Sequence, residues 1–132
     1  MKKKIYVGCS LTHAPDEFKT AIELLKKHLS QKYEILEFVG LVKGTAKDVF
    51  EWDTKCVKEC DMFLADCTHP GIGLGYELGV AVEKNKPILA VAHKDAKVSR
   101  VILGVTAKNY TFSRYDDILD VSELVEEKLK SI

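Results

Sequence analysis

The sequence predicts an α/β fold in which five strands form a doubly wound, mostly parallel sheet with helices on both faces. Short apolar segments, rich in β-branched and aromatic residues, alternate with longer segments whose apolar residues recur every three or four positions. The segment PILAVAH at residues 87–93 is apolar almost throughout, as expected of a parallel strand covered on both faces. Strands and helices alternate along the whole chain, which is the order that builds such a sheet.

Each element rests on a local signal. Strands are predicted where β-formers cluster between polar or turn residues. Helices are predicted where one face is apolar, and Asp120 or Ser122 is expected to cap the last of them. Glu34 and Glu37 of the second strand are expected at exposed or edge positions. The predicted strands cover residues 4–8, 33–39, 62–65, 87–93 and 110–112. The predicted helices cover residues 16–29, a segment that begins at Thr45, and residues 74–85, 98–103 and 121–129.

Length and charge limit the classes of function. The 132 residues fit one domain, 1–132, with a core of ordinary size. The 20 basic and 20 acidic residues give no overall basic field, so neither a nucleic-acid polymer nor an anionic membrane is a favoured partner. No apolar run approaches the roughly 18 residues that span a bilayer. Because no secretory signal follows the basic start, we expect a cytoplasmic protein.

The cysteines and histidines do not indicate a metal site. Cys9, Cys56, Cys60 and Cys67 match no zinc-binding spacing, and we expect them to be reduced and mostly buried. The four histidines also lack a ligand spacing. Cys67 lies near the presumed site, but no base stands beside it in the sequence, which argues against a nucleophilic thiol. We therefore expect no metal and no cofactor.

Residues 61–79, DMFLADCTHPGIGLGYELG, read as a buried strand, a glycine-rich turn and the start of a helix. We expect Gly71, Gly73 and Gly75 to adopt backbone conformations closed to other residues and to approach a ligand closely. Their spacing differs from the G-x-G-x-x-G of dinucleotide-binding proteins. Taken alone, the turn fits a tight strand–helix connection as well as a site whose amide groups hold an anion or a sugar.

Two carboxylates stand on apolar helix stripes. Glu77 shares a stripe with Leu74, and Asp53 lies four residues from both Val49 and Val57. A charge among apolar neighbours costs free energy unless it is paired or functional. Both helices flank one strand, so both carboxylates can approach its carboxyl end, where open α/β sheets bind ligands. Each carboxylate by itself fits a structural role. Together they fit a reaction in which one carboxylate attacks an anomeric carbon and the other assists the departing group.

The run EWDTKCVKECDMFLADCTHPGIGLGYELG at residues 51–79 resembles the nucleoside 2-deoxyribosyltransferase family, and most of all its 2′-deoxynucleoside 5′-monophosphate N-hydrolases. The likeness extends to KIYVGCS at residues 4–10 and KPILAV at residues 86–91, and fades beyond about residue 104. The resemblance implies a flavodoxin-like sheet and cleavage of an N-glycosidic bond. It also implies a small-molecule nucleoside or nucleotide substrate, no cofactor, and a homodimer or higher homo-oligomer.

The resemblance also assigns roles to residues. It implies that Glu77 is the nucleophile, which forms a covalent glycosyl-enzyme, and that Asp53 assists at the nucleobase. Tyr6 lines the site, and Ser10 binds phosphate in the hydrolase branch. Ser99 is the nearest match to a serine that reaches a neighbouring subunit's phosphate site.

Two positions depart from the hydrolase pattern. Gly71 stands where the hydrolase branch carries a phosphate-binding serine and the transferase branch a carboxylate, and Thr12 replaces an arginine. Three functions therefore stay open: hydrolysis, base exchange between deoxynucleosides, and nucleotide binding without turnover. The spacing from Asp53 to Glu77 and the T-x-P turn favour hydrolysis.

Overall fold

The strands form one sheet in which all neighbours are parallel. A computed structural model describes residues 1–37 and 44–132. The strands are β1 (Lys4–Cys9), β2 (Glu34–Glu37), β3 (Met62–Asp66), β4 (Ile88–His93) and β5 (Tyr110–Tyr115). Their order across the sheet is β2-β1-β3-β4-β5, the flavodoxin-like order. The predicted fold class is confirmed, and the sheet is parallel in every described pair.

Helices cover both faces of this sheet, as predicted. They are α1 (Asp16–Leu29), α2 (Ala46–Glu59), α3 (Ile72–Glu83), the short α4 (Arg100–Leu103) and α5 (Val121–Lys130), with a 3-10 turn at Ile118–Asp120. One core cluster joins α1 and α5 to Ile5 and Val7 of β1. The other joins α2 and α3 to Tyr6 and Phe63, because successive strand residues point to opposite faces.

The candidate site is expected at the carboxyl ends of β1 and β3, which lie inside the sheet. Every residue of β3 is buried, and β1 is buried from Ile5 to Cys9. From β1 the chain passes to β2 on one side, and the later strands are added on the other side, beginning with β3. Ligands of open α/β sheets bind at such a switch point, outside the carboxyl ends of the strands.

The glycine-rich turn is the main correction to the predicted elements. Helix α3 begins at Ile72, two residues earlier than predicted, so Gly73 and Gly75 are helical. Gly71 precedes the helix with φ −165°, an extended conformation that any residue adopts. The Gly75 amide donates to the Gly71 carbonyl at 3.1 Å, which closes the first helical turn without any special glycine conformation. The expected unusual backbone at these three glycines is therefore wrong.

The remaining differences lie at element ends. Strand β5 runs to Tyr115, three residues beyond its predicted end. Asp120 stands at the N-cap of α5 but its side chain makes no capping bond, and the Ser122 hydroxyl donates to the Leu119 carbonyl, so neither residue caps as expected. Glu34 and Glu37 are exposed on an edge strand, as predicted. The predicted end of β2 and residues 40–43 of the connection after it lie outside the described residues.

All four cysteines are buried and form no disulfide, as expected. None of the described helices is both long and apolar enough to cross a bilayer.

Candidate active site

Glu77 reaches from α3 to the carboxyl half of β1. Buried Leu74 and Leu78, on the same stripe of α3, fix the side of the helix that faces the sheet. The Tyr6 hydroxyl donates a hydrogen bond to Glu77 Oε2 at 3.1 Å. A Cβ placed on Gly8 would lie 3.3 Å from Glu77 Oε1, so the carboxylate also lies against the β1 backbone.

Asp53 joins Glu77 from the neighbouring helix. It is only 8% exposed, and its neighbours Cys56 and Val57 on the same stripe of α2 are also buried. The carboxyl groups of Asp53 and Glu77 are hydrogen-bonded to each other. Ionised carboxylates only accept hydrogen bonds, so this contact requires a proton on one of the two. The structure thus brings the two predicted carboxylates together as a proton-sharing pair.

The environment tunes this pair. Burial, and next the negative charge of Asp53, raise the pKa of Glu77 from 4.5 to about 7, while the Tyr6 hydroxyl bond opposes the rise. Burial and the two carboxylates raise the pKa of Tyr6 far above its usual value, so Tyr6 stays a neutral donor. Below a pKa of about 7 the pair therefore holds one proton, which can pass to Asp53 as Glu77 attacks.

Gly8 has a role that the sequence prediction missed. A Cβ on Gly8 would lie 2.8 Å from Phe63 Cε1, closer than real Cβ contacts allow. The Phe63 ring in turn packs on Tyr6, with ring centroids 5.2 Å apart. Gly8 therefore leaves the space in which Phe63 and Glu77 stand. The available signal was a glycine inside an otherwise β-forming strand, which often marks close approach of another group.

Ser10 and Gly71 also lie against each other. A Cβ on Gly71 would stand 2.5 Å from Ser10 Oγ and 2.7 Å from Ser10 Cβ. The position that a side chain at residue 71 would occupy is thus filled by Ser10. Gly71 is required by this contact rather than by its backbone conformation.

The other predicted site residues are exposed. Gly73 and Gly75 lie on the first turns of α3, and a Cβ on either would meet no atom within 4 Å. Ser99 is the N-cap residue of α4, where its hydroxyl accepts a bond from the Val101 amide at 3.3 Å. Thr12 lies in the loop after β1.

The described residues do not favour a metal site or a thiol nucleophile. Among residues 1–37 and 44–132 no group of His, Cys, Asp and Glu is arranged to hold a metal ion. Burial, and next Asp66, raise the pKa of Cys67 to about 12, so this thiol is neutral and a weak nucleophile.

Several known proteins are similar to this chain. The family model described as nucleoside 2-deoxyribosyltransferase matches residues 5–124. A protein from Thermofilum pendens, provisionally named 2′-deoxynucleoside 5′-phosphate N-hydrolase 1, is 28% identical over 109 residues, 80% of this chain and 73% of the relative. The 5-hydroxymethyl-dUMP N-hydrolase of Danio rerio is 37% identical over 87 residues, 64% of this chain and 59% of the relative.

A solved structure shows the same fold. The CMP N-glycosidase of Clostridium botulinum superposes with a TM-score of 0.68 at 23% identity, covering 94% of this chain and 99% of the other. At this identity the likeness concerns the fold alone.

Proposed function

Because the chain belongs to the nucleoside 2-deoxyribosyltransferase family, we propose that it cleaves the N-glycosidic bond of a 2′-deoxynucleoside 5′-monophosphate or the matching nucleoside. The observation that carries this proposal is the proton-sharing pair of Asp53 and Glu77 beside Tyr6. The relatives from T. pendens and D. rerio, named as N-hydrolases of deoxynucleotides, support the substrate class.

The first step is attack on the sugar. An ionised oxygen of Glu77 forms a bond to C1′, the C1′–N bond breaks, and its electron pair stays on the base nitrogen. The pair holds one proton, which passes from Glu77 to Asp53 as Glu77 attacks, and Asp53 delivers it to the departing base. General acid assistance of this kind contributes roughly 10²–10⁴-fold. The products of this step are the free base and a glycosyl ester on Glu77.

The second step releases the sugar. Water attacks C1′, its proton passes to the Asp53 carboxylate, and the bond between C1′ and the Glu77 oxygen breaks. This restores both carboxyl groups to their starting states. Tyr6 has one role in both steps, since its hydroxyl bond holds Glu77 Oε2 and stabilises the ionised form.

Base exchange is the second candidate. In this reaction a free base, instead of water, attacks the glycosyl ester, and a new nucleoside forms. Gly71 favours keeping this candidate, because its space is filled by Ser10 and holds neither of the side chains that distinguish the two branches. A free base of a different type, added to a working reaction, yields a new nucleoside only if exchange occurs.

We also propose that two copies of the chain pair through the outer face of α2, α3 and α4. Phe50, Tyr76 and Val101 are 55%, 48% and 77% exposed there, and they line an apolar groove of about 820 Å³. Large exposed apolar patches of this kind mark protein interfaces. Ser99 stands at the start of α4, beside this face, as a residue that reaches a partner's site must.

Light scattering of the wild type and of Val101→Asp tests the pairing. We expect a dimer that the substitution dissociates, and a monomeric wild type would contradict the pairing.

Base release tests the proposed reaction. The protein is incubated with dAMP, dGMP, dCMP, dTMP, dUMP, 5-hydroxymethyl-dUMP and their nucleosides, and free base is measured by chromatography. Glu77→Gln should abolish release, whereas Glu83→Gln, an exposed glutamate of the same helix, should not. Mass spectrometry of acid-quenched protein should show a sugar adduct on the wild type and none on Glu77→Gln.

Two outcomes contradict the proposal. Full activity of Glu77→Gln would remove the assigned nucleophile. Binding of a nucleotide without release of base, even at high protein concentration, would identify a nucleotide-binding module without turnover.

A further inference from the structure

A second buried polar cluster lies on the sheet face opposite Glu77. Asp66 ends β3 on the α1 and α5 side, because Leu64 two residues earlier belongs to that core and Ala65 to the other. The Tyr115 hydroxyl donates to Asp66 Oδ2 at 2.6 Å, and the Thr68 amide donates to Asp66 Oδ1 at 2.9 Å. The cluster thus links the carboxyl ends of β3 and β5.

The Thr68 hydroxyl links the carboxyl end of a third strand, β4, to this cluster. The His93 amide, at the end of β4, donates to Thr68 Oγ1 at 3.0 Å. Thr68 Oγ1 also lies 3.2 Å from the Tyr115 hydroxyl. Since Tyr115 donates its only proton to Asp66, the Thr68 hydroxyl is the donor in this contact. Thr68 is therefore held by three hydrogen bonds at once.

A carboxylate in this position is costly for the fold. Asp66 is 1% exposed and Tyr115 is 7% exposed. Burying a charge costs several kcal/mol unless hydrogen bonds compensate it, and an apolar residue would fill such a place at lower cost. Each oxygen of Asp66 has a donor, so the cost is offset only while Thr68 and Tyr115 keep their places. The cluster therefore defines the conformation of the chain at Thr68.

Thr68 belongs to the connection that leads to the candidate site. Residues 67–71 join β3 to α3, the helix that carries Glu77. His69 packs edge-on against Phe18, with ring centroids 4.7 Å apart. The connection ends at Gly71, whose Cα faces the Ser10 side chain so closely that no Cβ fits between them. A displaced Thr68 would thus move Gly71 relative to Ser10.

We propose that Asp66 and Tyr115 are positioning residues that act through Thr68: they hold residues 68–71 so that Gly71 and Ser10 form a fixed edge of the substrate site. The inference rests on the proposed function, since Ser10 stands at the edge where that reaction's substrate binds. Neither residue contacts the carboxylate pair's face of the sheet, so they affect binding of the substrate more than the chemical step.

The chain supplies a matched control for the test. Tyr110 begins the strand that Tyr115 ends, and its hydroxyl donates to the Ile102 carbonyl at 2.7 Å. Tyr115→Phe removes the hydroxyl that bonds both Asp66 and Thr68, and Tyr110→Phe removes a hydroxyl with one hydrogen bond from the same strand. With the nucleotide that the wild type cleaves fastest, we expect Tyr115→Phe to raise KM about 5-fold or more with kcat within about 2-fold, as the loss of these bonds implies. Tyr110→Phe should leave KM within about 2-fold.

A double-mutant cycle tests the route through Ser10. If Tyr115 acts on binding by placing Gly71 against Ser10, the KM effects of Tyr115→Phe and Ser10→Ala should not add. Additive effects, or equal KM values for Tyr115→Phe and Tyr110→Phe, would leave Tyr115 a structural role only and overturn the inference. Should Tyr115→Phe fail to fold, Thr68→Val with Thr68→Ser as the conservative control replaces it, and the outcomes read in the same way.

Hydrogen exchange separates this inference from the proposed function. Without any nucleotide, the peptide covering residues 67–74 should exchange faster in Tyr115→Phe than in Tyr110→Phe, by about 10-fold or more, with α5 unaffected. Unchanged exchange in this peptide would overturn the inference even in an active enzyme. Faster exchange in a protein that releases no base would support the positioning role and contradict only the proposed reaction.

Discussion

Asp53→Asn perturbs the carboxylate pair with little change of shape. It removes the negative charge beside Glu77 and the proton that Asp53 can donate. The asparagine amide can still donate a hydrogen bond to the Glu77 carboxylate. Both changes favour the ionised form of Glu77, so the pKa of Glu77 should fall.

The size of this fall depends on the causes of the rise. The pKa of Glu77 is raised from 4.5 to about 7, with burial as the first cause and Asp53 the second. Each unit of pKa corresponds to ~1.4 kcal/mol. Burial persists in the variant, so only the share of Asp53 is lost, and we expect the pKa to fall by about 1 unit.

The assay is the pH dependence of kcat/KM for release of base. The wild type should lose activity as the pH rises past a midpoint near 7, because the pair then loses the one proton that Asp53 delivers to the base. In Asp53→Asn this alkaline loss should disappear, and an acid limb should appear about 1 unit below the wild-type midpoint, where Glu77 ionises, while the plateau falls roughly 10²-fold or more for want of the proton donor. Glu51→Gln, an exposed glutamate of the same helix, removes an equal charge and should change neither the wild-type midpoint nor the plateau.

An alkaline loss of activity that keeps its midpoint in Asp53→Asn would refute the reasoning. In that case the limb would belong to another group, or the two carboxylates would not interact in the working enzyme. A lowered plateau alone would not rescue the argument, because loss of fold also lowers a plateau.

Three further predictions concern the same site. Tyr6→Phe removes the bond that stabilises ionised Glu77, so the midpoint of kcat/KM near pH 7 should move up, with a loss of about 10-fold in the plateau. Because the pKa of Glu77 is raised, its protonated side chain contributes stability below the unfolded value of 4.5, and this stability is lost as the pH rises through about 7. In urea unfolding, the free energy of unfolding of Glu77→Gln should therefore rise relative to that of the wild type by ~2 kcal/mol between pH 4.5 and 8. Gly8→Ala should lower the free energy of unfolding by about 1–3 kcal/mol and abolish base release, because its Cβ would stand 2.8 Å from Phe63; normal stability and activity would contradict the close contact.

The fold could be predicted because its information is local. The apolar stripe of Phe18, Ile22 and Leu25 gave α1 the bounds that the structure shows, Asp16–Leu29. The end of β5 could not be read in this way. Ser113 and Arg114 interrupt its apolar pattern, because a strand at the edge of the sheet tolerates polar residues.

The carboxylate pair could be predicted for a related reason. Asp53 and Glu77 each break an apolar stripe, and helix periodicity places such a residue on the buried side. The periodicity does not show that the two meet, which depends on α2 and α3 packing side by side on β1 and β3. The resemblance to a known family supplied their roles, and these roles stay predictions.

The cluster around Asp66 escaped prediction although it had a signal. The predicted β3 ended at Ala65, which left Asp66 in a loop where an aspartate needs no explanation. Its partner Tyr115 lies 49 positions away, at the end of a strand predicted too short. An error at one strand end thus hid a contact at the other.

The glycines of the site act through space rather than through backbone freedom. Gly8 and Gly71 are the two whose missing Cβ is occupied by another side chain, Phe63 and Ser10 respectively, whereas Gly73 and Gly75 face open space. Gly8 belongs to the strand whose carboxyl end faces the site, and Gly71 to the connection that delivers Glu77. Since both contacts join β1 or its loop to the segment from β3 to α3, they fix the two sides of the switch point against each other. The position of the Glu77 carboxylate on α3 depends on this junction. The close contacts at Gly8 and Gly71 fix the junction, and the buried cluster around Asp66 supports it from the opposite face of the sheet.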